Sequence, residues 1–276
     1  MAVTEKIKAS PLAMGLIHQA RRQAGKVAVS RHEGRGDAVG AALLAIRGAL
    51  RDSPTAAERP WVDKIERKRA ELEQSTTVFE VPKLRDLPAT TDTIGRMALS
   101  SKPPRWAYML FRLVRELSPV AGLEMGACVG ISAAYQAAAM ELNGVGRLTS
   151  LEGVPALAKR SADTIDELGL TDRVDFVQGR FVDTLTDALD QGPLLDWAFI
   201  DGDHHEDATL QYGSMVLRHC TDRAVIVFDD IAWSDGMARA WRAICADPRY
   251  GTTIDLRRVG IAIPGGRFEQ IRIPYA

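Results

Sequence analysis

The pattern of apolar and polar residues along the chain changes near residue 105. Trp106–Leu117 carries apolar side chains at the i, i+3 and i+4 spacing of one helical face. Apolar runs of strand length follow it: Ala121–Met125, Leu148–Leu151, Val174–Val177, Trp197–Ile200 and Ala224–Phe228. Helical patterns separate or follow those runs: Ile131–Leu142, Pro155–Leu168, Asp183–Leu189, Ala208–Arg218 and Met237–Ala246. This alternation predicts a mostly parallel sheet with helices on both faces, a doubly wound α/β fold.

The two ends of the chain follow other patterns. Residues 1–90 include a short apolar helix at Ala38–Leu50 and a charged helical stretch at Glu58–Gln74. At the other end, Thr253–Ile263 and Arg267–Ile273 flank the turn residues Pro264–Gly266, which predicts a closing antiparallel hairpin. We therefore expect seven strands in residues 91–276 and a helical extension in residues 1–90.

Composition excludes several classes of protein. The 276 residues include 35 Lys and Arg against 36 Asp and Glu, and this balance argues against a dedicated nucleic-acid binder. No apolar run reaches the roughly 18 residues of a membrane-spanning helix, and the first residues lack the apolar region of a secretory signal. The three cysteines are far apart and predict reduced thiols, so a cytoplasmic location is expected.

Two features after the first strands are typical of a nucleotide-like cofactor. Gly126 and Gly130 allow a tight turn before a helix, in the spacing G-x-x-x-G. Dinucleotide sites instead use G-x-G-x-x-G, so a pyrophosphate seat is disfavoured. Glu152 ends the second strand, where a carboxylate accepts hydrogen bonds from a ribose diol in NAD and S-adenosylmethionine sites. A solvated glutamate in a turn is the alternative.

Acidic residues crowd the ends of the fourth and fifth strands. Asp201, Asp203, Glu206 and Asp207 follow the fourth strand together with two histidines, and Asp229-Asp230 follow the fifth. Neighbouring parallel strands bring such carboxylates together, and their repulsion favours a hard cation, Mg²⁺ or Ca²⁺ and less specifically Mn²⁺, at Asp201, Asp229 and Asp230. The alternative is that Asp230 caps the next helix and Asp203 fills a turn.

The stretch Leu123–Ala133, L-E-M-G-A-C-V-G-I-S-A, resembles motif I of class I S-adenosylmethionine-dependent methyltransferases, in particular the catechol and caffeoyl-CoA O-methyltransferase branch. Phe199–His204 and Phe228–Asp230 resemble the acidic motifs of metal-dependent small-molecule and sugar O-methyltransferases. The resemblance covers roughly residues 88–263. It implies S-adenosylmethionine and a divalent metal, Mg²⁺, as cofactors, and a small molecule with a catechol, vicinal diol or sugar hydroxyl as acceptor.

The resemblance also assigns residues. It implies that the methionine part lies against Glu124, Gly126, Ala127 and Ser132. It places the ribose at Glu152 and Gly153, and the adenine near Gly179, Arg180 and Phe181. Asp201 borders the cofactor and, with Asp229 and Asp230, would hold the metal. The family's catechol branch has a lysine base where this chain has His204, so the base is Asp203 or His204.

Some assignments stay open at this stage. The extension of residues 1–90 is expected to cover the acceptor site, to form a homo-oligomer contact, or both. Trp233 and the loop of residues 100–104 are candidates for walls of the acceptor pocket. The rival functions are an NAD(P)-dependent oxidoreductase, a non-catalytic binding protein on the same fold, and a methyltransferase that needs no metal.

Overall fold

The computed structural model describes residues 11–30, 35–51, 53–83, 85 and 88–274, without the side chains of residues 11–18. The described helices are α1 Pro11–Ser30, α2 Ala38–Arg51, α3 Arg59–Glu73, α4 Ile94–Ser100, α5 Pro104–Leu117, α6 Ile131–Asn143, α7 Pro155–Glu167, α8 Phe181–Gln191, α9 Glu206–Leu217 and α10 Asp235–Ala246. The described strands are β1 Val78–Val81, β2 Thr90–Thr93, β3 Ala121–Met125, β4 Arg147–Glu152, β5 Val174–Gln178, β6 Leu195–Ile200, β7 Cys220–Phe228, β8 Thr252–Asp255, β9 Gly260–Ile263 and β10 Glu269–Arg272.

The main sheet has the strand order β10-β8-β9-β7-β6-β3-β4-β5, and β1 pairs with β2 in a separate antiparallel hairpin. From β5 to β7 all neighbours are parallel. The chain runs outward from β3 through β4 to β5, then returns to the other side of β3 for β6 and β7. Ligands of such sheets bind where this order reverses, beyond the carboxyl ends of β3 and β6. The predicted doubly wound α/β fold is confirmed.

The C-terminal region differs in detail from the expectation. The antiparallel hairpin joins β8 to β9 through a turn at residues 256–259, where Arg257 has a φ of 76°. Pro264–Gly266 instead carry the chain past β8, so that β10 pairs with β8 in parallel and becomes an eighth strand. The sequence does not mark this turn with Pro or Gly at its centre, and its first and last residues, Leu256 and Val259, are buried apolar residues.

Two helical layers cover the sheet. One core joins residues of α2, α3, α5, α6 and α7 to one face, and the other joins α8, α9 and α10 to the opposite face. The helical extension is therefore part of the main core: Ile46 of α2 and Ile65 of α3 are fully buried, with α2 packed on α5 and α3 on α6. Its roles as a lid or an oligomer contact stay predictions.

None of the helices in the described ranges is long and apolar enough to cross a membrane.

Candidate functional site

Backbone hydrogen bonds tie the strand ends into one edge. In each bond a backbone N–H just after one strand donates to a carbonyl at the end of a neighbouring strand. These bonds are Gly126 N to Leu151 O (2.9 Å), Gly179 N to Glu152 O (2.9 Å), Asp201 N to Met125 O (3.0 Å) and Asp229 N to Ile200 O (3.0 Å). Each bond extends the parallel ladder by one step beyond the strands. The predicted site residues after β3 to β7 therefore share one edge of the sheet.

The loop after β3 requires its first glycine. Gly126 has a φ of 100°, a region that side chains rarely adopt, and a Cβ there would lie 2.1 Å from the carbonyl oxygen of Asp201. Gly130, at a φ of 88°, ends the loop and precedes α6, whose first turn contains Ser132. The loop thus lies directly against the end of β6, with the amino end of α6 and its partial positive charge beside it.

Glu152 holds this loop from the side of β4. One carboxylate oxygen accepts a hydrogen bond from Cys128 N at 2.8 Å, and the other accepts from Val154 N at 2.9 Å. Burial raises the pKa of the carboxyl, and the two N–H donors oppose that shift. Each oxygen has a second lone pair, so the carboxylate can still accept from a ligand hydroxyl.

Glu124 lies beneath the loop and is fully buried. Its carboxylate accepts hydrogen bonds from Ser150 Oγ at 2.6 Å and from Gln136 Nε2 at 2.7 Å. Gln136 in turn accepts from Trp197 Nε1 at 2.7 Å. Burial is the main cause that raises the pKa of Glu124, to about 7. This network joins α6 to β3, β4 and β6, so Glu124 supports the loop from below; its predicted cofactor contact stays a prediction.

The three residues predicted to contact the adenine differ in exposure and in their neighbours. Gly179 has a φ of 147°, and Arg180 is exposed, with its guanidinium 2.7 Å from the carboxylate of Asp183. Phe181 is half-buried, and its ring meets Tyr212 edge-on at 5.9 Å. A Cβ on Gly202 would lie 2.4 Å from the Phe181 ring, so the absence of a side chain there lets this ring lie under the end of β6.

A lysine meets the acidic end of the site. The ammonium of Lys102, in the loop between α4 and α5, contacts Asp229 Oδ2 and lies 3.7 Å from Asp201 Oδ2. Asp229 is only 2% exposed. Burial raises the pKa of Asp201, while the charge of Lys102 and then of His204 opposes that rise. The loop of residues 100–104 therefore reaches this edge through Lys102, an ion pair to which no sequence signal pointed; its role as a wall of the acceptor pocket stays a prediction.

The two candidate bases have different partners. His204 Nε2 lies 3.6 Å from Asp201 Oδ1. Asp203, with a φ of 51°, has other partners: its Oδ1 lies 2.7 Å from His205 Nδ1 and its Oδ2 lies 3.6 Å from the guanidinium of Arg85. Sequence reasoning missed Arg85, which lies far from Asp203 along the chain and in no recognisable motif.

The predicted metal site is not confirmed. Within the described ranges, no group of three or more His, Cys, Asp or Glu side chains is placed to hold a metal ion. Asp230, with a φ of 48°, lies 3.6 Å from the guanidinium of Arg258. Lys102 and Arg258 supply the positive charge that these carboxylates need, so the residues present do not fit the implied ion.

Trp233 stands at the rim of this edge. Its side chain is 68% exposed, and its backbone N–H donates to Asp230 O at 2.9 Å. An exposed indole beside the acidic strand end is consistent with the predicted pocket wall, which stays a prediction.

The comparisons with known proteins agree with this geometry. Residues 123–231, which include the glycine loop, Glu152 and both acidic strand ends, match the family model Methyltransf_24, described as a methyltransferase domain. A catechol O-methyltransferase of Niastella koreensis is 30% identical over 139 residues, which are 50% of this chain and 60% of that protein. The match thus spans less than two thirds of that relative.

Solved structures share the fold at low identity. An O-methyltransferase from Bacillus cereus in complex with SAH aligns with a TM-score of 0.55 and 19% identity, over 76% of this chain and 92% of its own. The O-methyltransferase TomG from Streptomyces achromogenes, in complex with SAM and involved in tomaymycin synthesis, aligns with a TM-score of 0.53 and 19% identity, over 78% and 92%. The predicted resemblance to class I O-methyltransferases is confirmed.

Proposed function

We propose that this protein transfers the methyl group of S-adenosylmethionine to a hydroxyl oxygen of a small molecule, because residues 123–231 match a methyltransferase domain. The observation that carries the proposal is the interlock of the glycine loop with Glu152 through Cys128 N, inside the matched region. It supports a ribose-binding role for Glu152, because its carboxylate lies beside a glycine loop that a cofactor could approach closely.

The cofactor would lie along the edge formed by the ends of β3, β4 and β5. The family resemblance and the position of the loop support Gly126, Ala127 and Ser132 for the methionine part, with Glu124 as the buried support. Glu152 and Gly153 would take the ribose, and Gly179, Arg180 and Phe181 the adenine, with Asp201 at the boundary to the acceptor. When bound, S-adenosylmethionine supplies a methyl group on a positively charged sulfur.

The acceptor hydroxyl must lose its proton before it is a good nucleophile. Of the two candidates, geometry favours His204 as the base. Asp201 lies close enough to orient its imidazole, whereas the carboxylate of Asp203 already faces Arg85 and His205. Asp203 would then hold the loop after β6 in its left-handed turn.

We further propose that the acceptor carries adjacent hydroxyls, as in a catechol, a vicinal diol or a sugar. The named activity of the Niastella relative supports this class. The ammonium of Lys102 offers N–H donors to such a pair of oxygens, and the carboxylates of Asp201 and Asp229 beside it offer acceptors for the hydroxyl hydrogens. Trp233 would flank a flat or apolar part of the acceptor.

Calorimetry tests the cofactor directly. We expect S-adenosylmethionine and its demethylated product to bind the full chain, and NAD not to bind. Binding of NAD alone would indicate the rival oxidoreductase. A screen of catechols, diols and sugars for uptake of labelled methyl groups then distinguishes an enzyme from a binding protein on the same fold.

A homo-oligomer and a cytoplasmic location stay predictions. The three cysteines, Cys128, Cys220 and Cys245, are all free thiols, which supports a reducing compartment. Light scattering of the purified chain measures the oligomeric state.

A further inference from the structure

We propose that the ammonium group of Lys102 takes the position between Asp201 and Asp229 that the family resemblance assigns to a divalent metal. It follows that methyl transfer requires no metal at these carboxylates. The second statement rests on the proposed function, whereas the first concerns cation binding alone.

The ammonium lies where such an ion would meet the protein. It contacts Asp229 Oδ2 and lies 3.7 Å from Asp201 Oδ2, and the Lys102 side chain is 11% exposed. Both oxygens of Asp229 are buried, and neither has a hydrogen-bond donor among the residues that the structure describes, so the contact of Oδ2 with Lys102 is an ion pair. A metal that bound Asp229 would have to displace Lys102 from both carboxylates.

The backbone holds Lys102 in this place. Ser101 N donates to Ala98 O at 3.1 Å at the end of α4, and Pro103 O accepts from Trp106 N at 2.8 Å at the start of α5. Lys102 is thus fixed between two helix ends, and Pro103 and Pro104 restrict the chain after it. Because the backbone of Lys102 is fixed and its ammonium is paired with two carboxylates, the side chain loses little further conformational freedom when an acceptor binds.

A fixed ammonium can replace one function of the metal. It carries three N–H donors, and its contact with Asp229 Oδ2 is an ion pair, so N–H donors remain for an acceptor oxygen. In the transfer, the acceptor O–H gives its proton to His204, the new O–CH₃ bond forms and the S–CH₃ bond breaks, leaving a neutral thioether. Lys102 would stabilise the negative charge that develops on the acceptor oxygen.

Binding of Mn²⁺ tests the position without any turnover. The full chain, Lys102→Met, the double variant Lys102→Met/Asp229→Asn and the surface control Lys159→Met are titrated with Mn²⁺, and free Mn²⁺ is followed by electron paramagnetic resonance. We expect no stoichiometric binding in the wild type or in Lys159→Met. Lys102→Met should bind one Mn²⁺ per chain at least tenfold more tightly than the wild type does, and the double variant should lose this binding.

Two results would overturn the proposal. One is a wild-type protein that binds one Mn²⁺ per chain and loses it on Asp229→Asn. The other is a folded Lys102→Met protein, with an unchanged thermal midpoint, that gains no Mn²⁺ binding. Failure of the proposed function would appear separately, as no calorimetric signal with S-adenosylmethionine while the Mn²⁺ results stand.

Turnover gives a second readout once an acceptor is known. We expect excess EDTA to change the wild-type rate less than twofold. Lys102→Met should lower kcat at least tenfold with a smaller effect on the KM of the cofactor, and Lys102→Arg should recover part of the rate. A wild-type rate that EDTA abolishes and Mg²⁺ restores would contradict metal independence.

Discussion

The backbone N–H of Cys128 donates a 2.8 Å hydrogen bond to the carboxylate of Glu152, so the loop after β3 is held by the last residue of β4. One side chain thereby supports the loop and offers its remaining lone pairs to a ligand. Loss of this acceptor should disturb both properties together.

Glu152→Gln tests this double role. An amide keeps the shape of the carboxylate but has only one acceptor oxygen, so one of two buried N–H groups loses its partner. We expect a loss of about 1–3 kcal/mol in the free energy of unfolding and a loss of binding of S-adenosylmethionine. Urea unfolding and calorimetry measure the two effects. Glu141→Gln, on the outer face of α6 with an ion pair to Arg173, is the matched control.

Gly126→Ala should distort the site without changing its charge. Its Cβ would lie 2.1 Å from a backbone carbonyl at a φ of 100°, so the loop or the end of β6 has to move. We expect a cost of about 2 kcal/mol or more and no cofactor binding. Gly144→Ala is the control, because its φ is also positive, 68°, but no atom lies within 4 Å of the added Cβ. Equal losses in both variants would argue against the close contact.

Glu124 should make stability depend on pH. Burial raises its pKa to about 7 in the folded chain, above the value of about 4.3 in an unfolded one. The folded state therefore binds more protons between these values, and its stability is full below about pH 4.3 and falls as the pH rises to 7. The change is on the order of 3 kcal/mol.

Unfolding of Glu124→Gln and of the wild type at pH 5 and pH 7.5 measures that contribution. Gln mimics the protonated acid, so the difference between the proteins should grow with pH. A difference independent of pH would mean that Glu124 is already ionised in the folded chain at pH 5.

Glu58 links the helical extension to α5, and its pKa is shifted downward, opposite to that of Glu124. Its buried carboxylate accepts from Tyr108 Oη at 2.9 Å and pairs with Arg112. Although burial raises its pKa, Thr55 N, Arg112 and Tyr108 together lower it below the usual value. Its contribution is therefore present above about pH 4.3 and is lost as the pH falls further.

Glu58→Gln should cost about 3 kcal/mol at neutral pH, because Arg112 is left without its buried partner. The loss should shrink in acid, which thermal unfolding at pH 7 and pH 3.5 would detect. Glu116→Gln, which removes a more exposed partner of Arg112, should cost much less.

His204→Asn tests the choice of base. If His204 removes the proton, kcat should fall by about 10²–10⁴ while binding of S-adenosylmethionine is unchanged. Asp203→Asn should then affect the rate less, and through stability of the loop. His219→Asn, remote from the edge and beside Asp190, is the control. A larger loss of kcat in Asp203→Asn than in His204→Asn would indicate that Asp203 is the base.

Local pattern was enough for the elements of the sheet. The run Ala121–Met125 is β3 to the residue, and the pattern at 131–142 falls one residue short of α6, because buried strands and amphipathic helices leave periodic signals. The same holds for the order of the acidic and glycine motifs at the strand ends. These were predicted because each motif lies beside the strand that positions it.

The three-dimensional packing decided the rest, because those contacts join residues that are far apart in sequence. Lys102 lies about a hundred positions before Asp201, and no periodicity links them, so only the packing of α4 and α5 brings its ammonium to the acidic edge. Likewise, β10 is an eighth strand because it pairs in parallel with the outer edge of β8. The chain thus encodes its strands, helices and acids locally, while the cation that those acids meet depends on how the layers assemble.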